Sequence, residues 1–315
     1  MKMVRLIAVT GATGNQGGSV AKLLLKYPSE YKVRAITRNA HSILAKALKD
    51  LGAEVVEADL TKPETLPAAV ADCWGIFGVT NFYDAKIKDD PGSEEVQGKN
   101  LVKASFDAGV QCFIWSSLPS SAQISGGRFV SKIYEGKYHV DAYIKEIGLP
   151  ASILYTGNFY ENMVLRGHVT YNKVNDVIEF HHTVIKRDTK LAMLYVEKDF
   201  SGVVKAVFDK WGSRKDELNH KILYCASGRV SAGDIIACIE RVTGKQCTWE
   251  SLPTTGVPDR DIMYQLYNEM GMYGNKELPD ENILALGVKV HSVDDFVVER
   301  LLPHLGLEAS KSRSG

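Results

Sequence analysis

Val9-Thr10-Gly11-Ala12-Thr13-Gly14-Asn15-Gln16-Gly17-Gly18 decides how this chain is read. It follows Arg5-Leu6-Ile7-Ala8-Val9, a short apolar run that reads as a buried strand. It precedes Ser19-Val20-Ala21-Lys22-Leu23-Leu24-Leu25-Lys26, whose apolar spacing is helical. Strand, glycine turn and helix are the context of a dinucleotide-phosphate site. Gly11 lets the chain turn tightly off the strand, Gly14 lets backbone approach a pyrophosphate, and Gly17 lets the helix pack close to the sheet. The helix start then offers N–H groups and the positive end of its dipole to phosphate. Thr13, Asn15 and Gln16 stand between the glycines and join them as candidate cofactor contacts. The spacing is G-x-x-G-x-x-G rather than the commoner G-x-G-x-x-G.

Outward from that turn the alternation repeats. Strands are expected at 32–37, 54–57, 75–79, 112–115 and 151–155, with helices at 41–51, 63–71, 93–109 and 132–147. Strands alternating with helices predict an α/β protein: a doubly wound, Rossmann-like parallel sheet covered on both faces. This cofactor-binding domain is expected over 1–156, completed by strands near 190–225. Residues 157–306 form a smaller C-terminal α+β lobe for substrate or partner, and 307–315 a disordered tail.

At 315 residues, a prior of ~150 per domain allows two. Lys plus Arg and Asp plus Glu are each 38, so charge argues against nucleic acid or a membrane surface. Five scattered cysteines without a C-x-x-C pair read as buried free thiols in a reducing compartment. The start lacks a signal-peptide pattern, and no apolar run approaches the roughly 18 residues of a membrane helix. The expected location is cytoplasmic, with the nucleus left open.

Ligands of open α/β sheets sit at the carboxyl ends of the strands. The second strand ends Thr37-Arg38-Asn39, with no acid for a ribose hydroxyl; Arg38 is placed for a 2′-phosphate, which favours NADP over NAD. Asp59-Leu60 follows the third strand, and Asp59 serves equally as an adenine-edge contact or as a residue starting the next helix. After the fourth strand, backbone at Thr80-Asn81 should pass under the cofactor, with Phe82 or Tyr83 near the reacting end and the charged 84–92 segment bordering the pocket. Ser116, ending the fifth strand, either polarises a substrate carbonyl or caps the loop. The serine- and glycine-rich stretch 119–129 reads as a flexible lid. Tyr134 and Lys137 stand at i, i+3, so the Tyr-x-x-x-Lys pair of short-chain dehydrogenases is missing. His181-His182 would point to opposite faces of a strand, which disfavours a metal site.

Thr10-Gly-Ala-Thr-Gly-Asn-Gln-Gly17, the Arg38 strand end, Asp59-Leu60, Lys137-x-x-Val-Asp-x-Tyr-Ile-x-x-x-Gly-Leu-Pro150 and Gly157-Asn-Phe-Tyr-Glu-Asn162 together resemble the NmrA-like family of atypical short-chain dehydrogenase/reductases. The likeness extends to isoflavone-reductase-like enzymes, which carry a lysine before a helix ending Gly-Ile-Pro. It implies NADP as cofactor and Lys137 as ribose contact and catalytic residue; Tyr155 and Asn158 join the candidate cofactor contacts, and a pocket open to the nicotinamide and lined by Tyr155, Asn158, Phe159 and Tyr160 would favour an enzyme. It also implies one of two functions: NADPH-dependent reduction of a small carbonyl or conjugated alkene, or redox sensing that regulates a protein partner such as a transcription factor.

Overall fold

The computed structural model describes residues 3–82, 90 and 92–310; Tyr83 and most of the 84–92 segment lie outside them. Strands β1 (Arg5–Val9), β2 (Tyr31–Thr37), β3 (Glu54–Glu57), β4 (Gly75–Gly78), β5 (Cys112–Ser117) and β6 (Ala151–Thr156) pair in parallel in the order β3-β2-β1-β4-β5-β6. Between them run α1 (Asn15–Leu25), α2 (Ile43–Asp50), α3 (Leu66–Val70), α4 (Ser93–Asp107), α5 (Ser121–Ser125) and α6 (Lys132–Glu146). The strand order reverses between β1 and β4, and that switch opens a crevice at the strands' carboxyl ends.

Successive side chains alternate across the sheet. Ala8, Ile76, Phe113 and Trp115 meet Leu66, Leu101 and Val140 on the face covered by α3, α4 and α6. Ile7, Val9, Phe77, Ile114 and Leu154 face the other way, onto Val20 and Leu24 of α1 and onto a later helix.

The second half of the chain adds β7 (Asn158–Phe159), α7 (Asn162–Leu165), β8 (Val169–Asn172), β9 (Val177–Thr183), β10 (Leu191–Leu194), α8 (Ser201–Leu218), β11 (Ile222–Cys225), β12 (Gly228–Val230), α9 (Ala232–Thr243), β13 (Cys247–Leu252) and α10 (Pro258–Met270). The later helix against α1 is α8, through Val203, Val204 and Phe208. Of the two later strands expected to return to the main sheet, β11 does, as a seventh parallel strand beside β6. The other, β10, pairs instead with β7 and β12. The reason is local: β7 leaves β6 after one residue, Gly157, where an added Cβ would meet Ala192 O at 2.7 Å, so β10 is held against β7.

A third sheet, β13-β9-β8, lies wholly within 157–306, the stretch expected to form the α+β lobe. In β9, Ile178, Phe180 and His182 are buried and their neighbours are not, a period of two that histidine and glutamate disguise. Three short helices follow: α11 (Glu281–Leu284), α12 (Val293–Phe296) and α13 (Leu302–Leu305). Part of the expected tail is anchored, since Ser310 N–H donates to Val242 O at 2.8 Å. All five cysteines are buried and free.

Candidate functional site

The glycine turn has a distinct geometry at each glycine. Gly11 sits at φ +57°, the left-handed region. Gly14 precedes α1 in extended backbone, and a Cβ built there would stand 3.2 Å from Gly11 O. A Cβ on Gly17 would stand 2.4 Å from both Thr10 O and Gly11 O, so only glycine lets α1 lie this close to the strand end. No side chain caps α1 and no acid lies in its first turn. Its first N–H groups therefore suit an anion. Thr10 ties the two switch strands: its hydroxyl donates to Val79 O at 2.9 Å and accepts from Val79 N–H at 2.8 Å.

From this turn a cleft of about 640 Å³ runs along the strand ends to the C-terminal lobe. The structure brings Gly11, Thr13, Gly14, Asn15, Gln16, Gly17, Arg38, Asp59, Leu60, Thr80, Asn81, Phe82, Lys137 and Asn158 into its wall. Ser116 is absent from that wall; it lies behind Gln16, to whose Oε1 its hydroxyl donates at 2.6 Å. Tyr155 and Tyr160 are also absent from it. Tyr155 is buried edge-on against Tyr224, and Tyr160 stacks on Phe296. Asp59 lines the cleft and also starts the following turn, its Oδ1 accepting from Thr61 N–H and Oγ1.

The 119–129 stretch is not a loose lid. Ser120, Ser121 and the Ala122 N–H all donate to Glu135, α5 forms there, and Ser125 Oγ donates to Phe129 O. The serines that suggested flexibility are engaged in local hydrogen bonds.

Lys137 is the charged centre of the cleft floor. Its Nζ donates to Glu94 Oε1 and Thr80 Oγ1, each at 2.9 Å, and to Thr80 O at 3.4 Å. Thr80 Oγ1 in turn donates to Glu94 Oε1 at 2.7 Å. Glu94 comes from the first turn of α4 and is fully buried, yet lines the same cleft. The two helices approach this closely at Gly98, one turn beyond Glu94, where a Cβ would meet Val140 Cγ2 at 2.5 Å. Sequence reading missed Glu94 because an acid in the first turn of a helix is ordinary. It also missed most of the far wall, Met263, Tyr264, Tyr267 and Met272, while Phe159 lines that wall as expected.

The histidines separate as their strand requires. His182 is buried beside His168, with ring centroids 4.7 Å apart, and His181 is on the exposed face. Burial pushes His168 down to about 3 and His182 down to about 4, so both are neutral near neutral pH. Among the described residues, no group of His, Cys, Asp and Glu is placed to hold a metal ion. Nor, among them, is any helix long and apolar enough to cross a membrane.

The NmrA-like family model matches residues 3–301, nearly the whole chain. The chain belongs to the NmrA-like family. Curated relatives include the NmrA-like family domain-containing oxidoreductase FrzB of Cladobotryum sp, 31% identical, with 82% of this chain and 81% of that protein covered. The oxidoreductase malD of Malbranchea aurantiaca, of the same NmrA-like description, is 30% identical, with 88% and 87% covered. Among solved structures, NmrA, a negative transcriptional regulator in complex with NADP, superposes with a TM-score of 0.76 at 17% identity, covering 95% of this chain and 96% of that one. The NADPH-dependent quinone oxidoreductase QOR2 of Escherichia coli, complexed with NADPH, gives 0.69 at 20% identity, with 92% and 98% covered. These NmrA-like and reductase structures share the present fold: the parallel sheet with smaller sheets attached.

Proposed function

We propose that this NmrA-like protein binds NADP(H) across the carboxyl ends of β1, β2 and β4 and reduces a small carbonyl or conjugated alkene held against the C-terminal lobe. The observation that carries this reading is that one cleft runs from the glycine turn to the Phe159, Met263, Tyr264 and Tyr267 wall. Space therefore continues beyond the dinucleotide, as a substrate requires. The residues fit the cofactor. Gly14 leaves room for a pyrophosphate, Gly17 lets α1 bring its N-terminus up to it, and Arg38 in the cleft wall is the candidate for the 2′-phosphate. Asn15 Nδ2, Glu94 Oε2 and Gln97 Nε2, all from cleft-lining residues, are buried without a hydrogen-bond partner. When bound, the nicotinamide supplies a hydride.

Lys137 is the proposed catalytic residue, beneath the nicotinamide ribose. All three of its N–H donors meet acceptors, and the longest of those bonds, to Thr80 O, is the one a ligand oxygen would displace. Five buried free thiols support a reducing compartment such as the cytoplasm.

A second reading is a redox sensor bound to a protein partner. It draws on exposed Ile43, Leu44 and Leu51 on and just after α2, beside the Arg38 end of the cleft.

Titration of NADPH and NADH into wild type and Arg38→Ala tests the cofactor assignment. Losing a charge-assisted contact of about 1.5–3 kcal/mol should weaken NADPH roughly tenfold to a hundredfold and leave NADH nearly unchanged. Equal losses for both would overturn the 2′-phosphate role. A carbonyl screen then separates the readings: NADPH binding without turnover of any acceptor would move the assignment to the sensor.

A further inference from the structure

Asn158, Phe159 and Asn162 line the cleft and also line a second, smaller cavity of about 20 Å³. These three residues are the partition between the two spaces. Phe180, Leu191, Met193 and Trp249 give the small cavity apolar walls, and Phe180 meets Trp249 edge-on with ring centroids 4.9 Å apart. His168 and His182 line it too, with ring centroids 4.7 Å apart.

His182 is only 5% exposed. Its Nδ1 is turned to the backbone of Thr183, 2.9 Å from the carbonyl oxygen and 2.8 Å from the N–H nitrogen. Among the described residues, no hydrogen bond reaches its Nε2 or either ring nitrogen of His168. Buried polar atoms normally have partners, so these nitrogens hold capacity that the fold does not use. The partition also has capacity to spare. Asn162 Nδ2 donates to Asn158 Oδ1 at 3.4 Å, a long bond, and Asn158 Nδ2 donates to the Met193 thioether at 3.7 Å, a weak acceptor.

Size and chemistry together define what fits. A space of this volume holds one water-sized group, provided that two or more polar partners surround it. Both imidazoles are neutral near neutral pH. A neutral ring offers one donor and one acceptor, and the tautomer decides which nitrogen is which. A hydroxyl both donates and accepts, so it answers either tautomer of either ring. A carboxylate only accepts, an ammonium only donates, and each would carry a charge into apolar surroundings.

We propose that the small cavity is a hydroxyl pocket of the substrate site. The substrate carries an uncharged hydroxyl on an apolar frame; the frame lies in the cleft against Phe159, and the hydroxyl passes the Asn158–Asn162 pair to reach His182 and His168. As a substrate assignment this rests on the reductase reading, while the binding itself needs no turnover.

Equilibrium dialysis of the full chain, with NADP⁺ present, tests the pocket with two ligands of one shape. 2-Naphthol carries the hydroxyl; 2-fluoronaphthalene has in its place a fluorine of similar size with no proton to donate. Wild type should bind 2-naphthol at least about tenfold more tightly, because the fluoro analogue leaves the imidazoles unpaired. His182→Phe keeps a ring and removes both nitrogens, so the preference should fall to about threefold or less while 2-fluoronaphthalene affinity stays within about threefold of wild type. His168→Leu, at a half-buried position, is the second variant should the first fail to fold, and it should lower the preference likewise. Loss of the preference in either folded variant supports the pocket. Equal binding of the two ligands by wild type, as a cavity that holds only a structural water predicts, would overturn it, and so would binding of neither. A preference undiminished in the folded variants would place the hydroxyl elsewhere. NADPH oxidation with 6-hydroxy-2-naphthaldehyde is the separate check on the parent reading: a binding preference without turnover would count against the reductase and leave the pocket standing.

Discussion

Lys137 and Glu94 are a buried pair, and their separate removal has unequal meaning. The carboxylate is fully buried and keeps one oxygen without a partner, so the ammonium is its counter-charge. Taking away one member of such a pair leaves an uncompensated charge, at a cost on the order of 3–5 kcal/mol. Lys137→Met should therefore lower the urea-unfolding free energy by roughly that amount, apart from any effect on turnover. The double variant Lys137→Met with Glu94→Gln should recover most of the loss, because no charge is then stranded. A Lys137→Met protein as stable as wild type would mean that Glu94 is compensated elsewhere. For the same reason, turnover by Lys137→Met must be read beside its stability, and the double variant is the fairer comparison.

At the scale of elements, the contact between β1 and α1 turns on two glycines with different duties. Gly17 faces backbone oxygens at 2.4 Å, and backbone cannot step aside as a side-chain tip can. Gly17→Ala should push α1 off the sheet and cost more than about 3 kcal/mol, seen as loss of the cooperative thermal transition or a large drop in Tm. At Gly14 the corresponding approach is 3.2 Å to one oxygen, which small shifts absorb. Gly14→Ala should keep a near-native melting curve while NADPH binding falls at least tenfold, because the methyl enters the pyrophosphate's space. If both variants melt alike and bind alike, the division of duties between these glycines is wrong.

For the whole molecule, buried titratable groups set opposing pH responses. Burial pushes the carboxyls of Asp141 and Glu161 up to about 7, and the Ser117 hydroxyl donated to Asp141 at 2.7 Å only partly offsets it. Between about pH 4 and 7 the folded chain holds protons on these acids that the unfolded chain releases, so their contribution falls as pH rises. His168 and His182 are pushed down, so the unfolded chain binds protons that the folded chain refuses, and their contribution grows as pH rises to about 6.5. The two effects oppose each other from about pH 4 to 6.5, and only the acids act above that. Asp141→Asn should therefore gain stability relative to wild type as pH rises from about 5 to 8, by up to roughly 2.5 kcal/mol. Urea midpoints across that range measure it; a constant difference between the two proteins would show that Asp141 is already ionised in the folded chain at about pH 5.

Local patterns carried the first half of this protein. Period-two and helical spacings, the glycine turn and the strand-end residues are short-range features, so Gly11 to Gly17, Arg38, Thr80 and Lys137 were legible in the chain itself. Packing between distant segments was not. Whether β10 or β11 rejoined the sheet depended on the turn at Gly157 and on which partner lay nearer. The β9 strand was disguised by polar residues whose burial only its neighbours reveal. Glu94 reaches Lys137 because Gly98 lets two helices close, and Tyr267 reaches Tyr134 because Asp259 and Asn268 hold α10 in place. Tyr155 and Ser116 had the right strand-end addresses yet lie behind the wall, since a strand's end sets a residue's position along the sheet but not which side chains stand in front of it. The sequence alone determined the fold and the glycine-turn end of the cleft, because those rest on contacts near in the chain. The far end was decided by tertiary structure, because it is assembled from segments more than a hundred residues apart.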